Sequence, residues 1–385
     1  MAPLPAAARA ALPTRRPRRA ACVLGLLALG GLLSACQSLG YYAHVGSGQL
    51  RLMGERRPIA ELLADPAIPA SRRRALSELL EAREFASARL GLPRNGSYTE
   101  YVALDRPYVT WNVFAAPEFS VEPVTHCFPV AGCVAYRGYF TLDKARQEAR
   151  RLQALGHQTW IGGTSAYSTL GWFDDPVLSS MMGVEQDDPV GVVFHELEHQ
   201  QLYVRDDTAF NESIASFVER EGVREWRASR GLPAPDGDRE ARERAFVAMA
   251  LALRERLAGI YARDLPVEAM RAQRERAIAG FRDAYAARRR TDWAGDARFD
   301  RWVEAPITNA KLVPMGLYDT WVPAFAAVFD ACGRQWDCFH ARTAALAGEP
   351  AAVRQTRLDA LAPRREGAPA SLEPDDGPVA DESSR

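Results

Sequence analysis

The chain has 385 residues, 47% of them hydrophobic and 25% charged. This composition suits one large globular domain or two ordinary ones and excludes whole-chain disorder and a fibrous repeat. A single long apolar run, residues 20–35, excludes a multi-span membrane protein, and a net charge of −1 from 48 basic and 49 acidic residues leaves no basic footprint for nucleic acid.

The first 35 residues read as an export signal. Arg15, Arg16, Arg18 and Arg19 precede an apolar stretch from Val23 to Leu33, and removal of such a segment takes it out of the fold. Leu33-Ser34-Ala35-Cys36 is similar to a bacterial lipobox, in which the cysteine carries the lipid. Gln37 follows it, where an aspartate would resemble an inner-membrane retention signal, so the expected address is the periplasmic face of the outer membrane. Loss of residues 1–35 removes five arginines and no acids, leaving 43 basic and 49 acidic residues, a net of −6. A soluble body on a lipid tether is expected, with residues 36–50 as the tether and 51–362 as the folded domain.

Within that domain, residues from Arg57 to about Leu90 carry helical patterning, with a break before Ser71 and a stop at Gly91. Residues 101–114 are rich in β-formers. A helix is expected from Asp143 to Leu155, and a short strand at 158–161. Asp188-Pro189 starts a helix predicted to run to about Val204. A second begins near Asp207 or Thr208 and ends at Gly231. Two long charged helices within 237–292, broken at Asp264-Leu265-Pro266, predict a helical hairpin. Trp321–Phe329 is a further apolar helix. From 363 to 385 the composition is that of a disordered tail. The class is therefore α+β, mainly α-helical, with a small β part.

Loss of Cys22 and lipidation of Cys36 leave four cysteines. Cys127 with Cys133, and Cys332 with Cys338, each enclose five residues, which in an oxidising compartment reads as two small disulfide loops. His126 and His340 beside them keep a zinc knuckle as the rival reading, although metal-binding cysteines are usually spaced more closely.

The chemistry sits in His195-Glu196-Leu197-Glu198-His199. On a helix the two histidines lie one turn apart on one face, so both imidazoles reach one ion. Zinc suits two imidazoles and a carboxylate with one position left for water. Glu196 stands where it can take a proton from that water. Glu212, thirteen residues after His199 in Asn211-Glu212-Ser213, resembles the downstream ligand of gluzincins. Small residues Ala209, Ser213 and Ser216 around it would allow close helix packing. Asp206, Asp207 and Glu219 are the competing acids. Ser216 stands where thermolysin-like enzymes carry an aspartate that orients a histidine, which leaves Asp206 or Asp207 for that duty.

These residues together resemble the predicted bacterial zinc aminopeptidases, often lipoproteins. The resemblance runs from about Cys36 to about Ala360. It includes Ala166-Tyr167-Ser168-Thr169-Leu170-Gly171-Trp172-Phe173, the histidine motif with Gln200, Tyr203, Asp207, Phe210, Asn211-Glu212-Ser213 and Ala215, then Asn309-Ala310 and Tyr318. It implies a zincin-like core and one zinc ion held by His195, His199 and Glu212. Glu196 is the implied general base in peptide hydrolysis, and aminopeptidase action is a further implication. Tyr318 is the expected donor to the developing oxyanion, with Tyr203 as rival. Residues 167–171 are a candidate substrate-pairing edge. Glu185, Asp187 and Asp188 are nearby acids, none of them marked out to hold a substrate amine. The alternatives are an inactive metal-binding lipoprotein, or a zinc hydrolase of a non-peptide amide such as a cell-wall bond. Expected partners are a peptide substrate and, through Cys36, a membrane.

Overall fold

The computed structural model describes residues 39–128, 132–182, 189–316 and 320–362. The expected signal segment, Cys36, Tyr318, the acids Glu185, Asp187 and Asp188, and the tail from 363 lie outside the described residues. Among those described, no helix is long and apolar enough to cross a membrane.

The chain divides into two compact units at Gly54. In the first, residues 39–54 are helical (α1), where an irregular tether was expected to Leu50. Leu52 is buried there while Leu39, Tyr42 and Leu50 are exposed, and the helix carries four glycines.

The second unit, from Glu55, is α+β and mainly helical. Strand β1 (Arg57–Pro58) precedes helices α2 (Ile59–Ala64) and α3 (Ala70–Arg89). Gly91, at φ +69°, terminates the segment as its sequence suggests. The single β-rich stretch expected over 101–114 is two strands, β2 (Glu100–Val102) and β3 (Thr110–Pro117), separated by the turn around Pro107. Strand β3 continues to Pro117 and is buried from Asn112 to Ala116 without alternation. Helix α4 (Leu142–Ala154) and the short α10 (Asn309–Leu312) pack on it. Such a run covers both faces of the strand, because successive side chains point to opposite sides.

Strand β3 is the centre of an antiparallel sheet between β6 (Tyr136–Tyr139) and β7 (His157–Thr164). A second sheet orders β1, β2 and β8 (Val177–Leu178), the last pair parallel. Strands β4 (His126–Phe128) and β5 (Gly132–Val134) form a ribbon with Cys127 opposite Cys133.

The helices that follow are α5 (Pro189–Gln201), α6 (Thr208–Ser229), α7 (Gly237–Tyr261), α8 (Val267–Thr291) and the short α9 (Asp300–Glu304). Helix α5 stops three residues before the expected end at Val204. Helices α7 and α8 form the expected hairpin and carry their own core. Phe246 stacks on Phe299 at 4.1 Å, with Leu253, Phe281 and Tyr285 in the same cluster. Asn309 ties this hairpin to the sheet. Its amide donates to the carbonyls of Pro117 and Glu118, and its oxygen accepts from the Tyr261 hydroxyl.

Helices α11 (Val322–Ala331), α12 (Trp336–Ala347) and α13 (Ala351–Leu361) close the unit. Phe210 and Phe217 of α6 meet Phe325, Phe329 and Phe339 at 5.1 to 5.6 Å between ring centres. On α6's other flank, Phe85 of α3 lies 5.2 Å from Trp226 and 6.3 Å from Phe194 of α5.

Candidate metal centre

Helices α5 and α6 pack closely because each places a glycine where the other presses. A Cβ on Gly191 would stand 3.1 Å from Glu219 Cγ, and one on Gly222 would stand 2.8 Å from a ring carbon of Phe194. Glycine inside a helix costs about 1 kcal/mol against alanine, and here it permits the approach.

The turn between the helices is fixed by side chains. Asn211, almost fully buried, accepts from the Val204 N–H at 2.7 Å and donates to the Val204 carbonyl at 2.8 Å. Asp207 caps α6, accepting from the Phe210 N–H, and pairs through its other oxygen with Arg354 of α13. Asp206, at φ +67°, accepts from the Cys133 N–H of the β4–β5 ribbon. In Asn211-Glu212 the first residue thus holds the turn while the second reaches the histidines.

His195, His199 and Glu212 each offer a ligand atom, all within 4.8 Å of one another, and no second such group occurs among the described residues. Glu212 Oε2 lies 3.3 Å from His195 Nε2 and 3.7 Å from His199 Nε2. Tetrahedral ligands about 2.0–2.1 Å from a zinc ion stand about 3.3 Å apart, so these separations fit a divalent cation. The charge does too: three carboxylates, Glu196, Glu212 and Glu219, surround two buried imidazoles, and buried charge needs a counter-ion.

Burial opposes a charge on His195, but its hydrogen bonds to Glu212 and Glu219 prevail and hold its pKa well above the ordinary value. Burial likewise opposes the Glu212 charge, and His199 and His195 outweigh it, bringing the carboxyl down to about 2. Burial pushes the Glu196 pKa upward, against the pull of His199 and His195 and with the help of Glu212 and Asp175. A carboxylate moved toward neutrality suits proton transfer.

Glu219, a competing third ligand by sequence, lies instead behind His195. Its Oε2 lies 3.0 Å from His195 Nδ1. It sits seven residues after Glu212, two turns along α6 on the same side, and that interval was the available signal. Asp206 and Asp207, expected as alternatives for this duty, are instead committed to the ribbon and to α13.

Tyr203 lies edge-on to His199 with ring centres 6.3 Å apart. Residues 167–171 are not a strand. They lead into a tight turn at 169–172, and the strand that precedes them, β7, is one of the two edges of its sheet. Both cysteine pairs are bonded as expected, Cys127–Cys133 and Cys332–Cys338. The zinc-knuckle alternative is thereby set aside. His126 is lowered to about 4, chiefly by burial, and His340 donates through Nε2 to the Leu90 carbonyl at 2.8 Å.

Two further features were not anticipated. Glu198, fully buried, has no hydrogen-bond partner for its carboxyl among the described residues, and burial raises it to about 8. Gln200, one turn beyond Glu196 on the same face, is held by three neighbours. It accepts from Asn95 Nδ2 at 2.7 Å and donates to Ser97 Oγ and Asp175 Oδ2.

Searches of curated proteins and of solved structures return no match. A family model does match, over residues 40–358, and its description is "Putative aminopeptidase". With most of its length covered by that model, the chain belongs to this family, whose name is that of a peptidase.

Proposed function

We propose that this protein is a zinc-dependent peptidase, an aminopeptidase with a zincin-like core, carried on the bacterial cell envelope by a lipid on Cys36. The observation that carries this reading is the convergence of His195 Nε2, His199 Nε2 and Glu212 Oε2, with Glu219 behind His195 and Glu196 beside the group.

Zinc bound by these three residues would polarise a peptide carbonyl and acidify water near neutral pH. Glu196 accepts the proton of the attacking water and delivers it to the leaving amine, as its upward-shifted pKa favours. Glu219 accepts the Nδ1 proton of His195 and so keeps Nε2 as a lone-pair donor facing inward. Burial of His195, Glu196 and His199, with Glu212 nearly so, lowers the local dielectric and strengthens each of these interactions. A hydrogen-bond donor to the developing oxyanion is needed as well. Tyr318 and Tyr203 remain the candidates, and Tyr203 has its ring beside His199.

The test is metal content together with turnover on a panel of peptides with free or blocked N-termini. One zinc per chain, and cleavage lost in Glu196→Gln while zinc is retained, is the expected result. A chain without zinc, or a Glu196→Gln variant as active as the wild type, would overturn the reading.

A further inference from the structure

Trp172 and Phe173 are 70% and 47% exposed, in a chain whose other large aromatics are mostly in the core. They end a tight turn that is unusually well held. The Trp172 N–H donates to the Thr169 carbonyl at 3.1 Å, and Leu170 and Gly171 have φ of +55° and +79°. Positive φ at both central positions marks a turn of the I′ kind, and leucine adopts it at a cost of about 1 kcal/mol or more.

The surrounding bonds over-determine that conformation. The Thr169 hydroxyl accepts from the Phe173 N–H, and the Thr169 N–H donates to Asp175 Oδ2 at 2.9 Å. The same Asp175 oxygen accepts from Gln200 Nε2 at 3.3 Å. The Asp175 N–H donates to Ser97 Oγ, and the loop bearing Ser97 is fixed by buried Arg83, which donates to the carbonyls of Ser97 and Pro93.

This places the turn beside the metal centre. A Cβ on Gly171 would lie 4.0 Å from Gln200 Cβ. Gln200 is one helical turn, about 6 Å along the axis, beyond Glu196 and on the same face of α5. Two exposed aromatics on a strained, clamped backbone next to the candidate base are a built surface.

We propose that Trp172 and Phe173 form the specificity surface of the active site, receiving a large apolar side chain of the peptide next to the scissile bond. This rests on the peptidase reading above and deepens it. The occupant is a substrate side chain because the turn packs on Gln200, one helical turn from Glu196 on the helix that carries the two histidines. Rigid aromatics bind apolar groups at little entropic cost, and a clamped turn keeps them so.

The test uses the zinc-loaded full chain and two small zinc-binding probes, phenylalanine hydroxamate and glycine hydroxamate, titrated by calorimetry. The wild type should bind the phenylalanine probe at least about tenfold more tightly than the glycine probe, the scale of one apolar contact. In Trp172→Ala/Phe173→Ala that ratio should fall to near one, with glycine hydroxamate affinity and zinc content unchanged. A preference that survives in the double variant, or a wild type without preference, overturns the specificity surface and leaves the metal centre standing. If neither probe binds zinc-loaded protein, the peptidase reading fails and takes this inference with it.

Discussion

Removal of the Glu219 carboxylate should weaken zinc binding without unmaking the site. Glu219 meets His195 Nδ1 at 3.0 Å and touches none of the other ligand atoms. A hydrogen bond to a charged group contributes about 1.5–3 kcal/mol. The Glu219 side chain is one-third exposed, so water partly replaces it, and the lower half of that range applies. At about 1.4 kcal/mol per decade, Glu219→Ala should lose roughly tenfold to thirtyfold in zinc affinity, within the span usual for partners of metal-bound histidines. Glu219→Gln keeps an acceptor oxygen and should lose less, about fivefold or under. Glu212→Ala removes a ligand and should lose far more. The assay is competition against a chromophoric chelator at constant pH, with circular dichroism to check the fold. Glu219→Ala within twofold of wild type would refute the orienting role. So would a Glu219→Ala loss larger than that of Glu212→Ala, which would exchange the duties of the two acids.

Two other side chains give measurable expectations. Asp207→Ala removes the cap of α6 and strands Arg354, which is 4% exposed and 2.6 Å from the carboxylate. Breaking a buried pair costs about 3–5 kcal/mol and a cap about 1. Arg354 keeps the carbonyls of Ala347 and Glu349, so a loss of about 3 kcal/mol by urea denaturation is expected, and under about 1 would show the pair to be incidental. Asp175 is raised from 3.8 to about 6, chiefly by burial and against its hydrogen bonds from Thr169 and Gln200. A raised carboxyl stabilises the fold fully below its unfolded pKa, and that contribution is lost as pH rises through the folded one. Between pH 4 and 7 the wild type should therefore lose about 2 kcal/mol relative to Asp175→Asn. A stability difference that stays constant across that range would contradict the assignment.

What could be read from the sequence is what is local along it. His195 and His199 declare a shared face through their spacing alone, and Glu212 follows on the next helix within one short turn. The N-cap at Asp207, the stop at Gly91 and the α7–α8 hairpin are local for the same reason. Glu219 was visible as an acid but not as a partner, because its role depends on how far α5 and α6 slide past one another, which Gly191 and Gly222 decide. The clamp of Gln200 on Asn95 and Ser97 joins segments about a hundred residues apart and leaves no periodic trace. Helix α13 buries only Arg354 and Leu358, too thin a stripe to stand out. The ribbon of β4 and β5 has three-residue strands held by a disulfide, so β-propensity had little to act on.

The ligand geometry is set from outside the two helices that carry it. Their shared turn is gripped by the β4–β5 ribbon through Asp206, by α13 through Asp207, and internally by Asn211. Further along α6, the Trp321 N–H donates to Ser213 Oγ, the residue after Glu212. On α5, the residue after His199 is Gln200, held by the loop that Arg83 organises. His199 and Glu212, the two candidate ligands nearest the turn, are thus each followed by a residue fixed to a distant part of the unit. The helix carrying His195 and His199 has four acidic or imidazole groups in five buried positions, an arrangement that local propensity does not favour and that desolvation penalises. These clamps hold it in place, so the fold meets much of the cost of bringing Glu196, Glu212 and Glu219 together before an ion arrives. A cation would then gain affinity from a site already shaped for it.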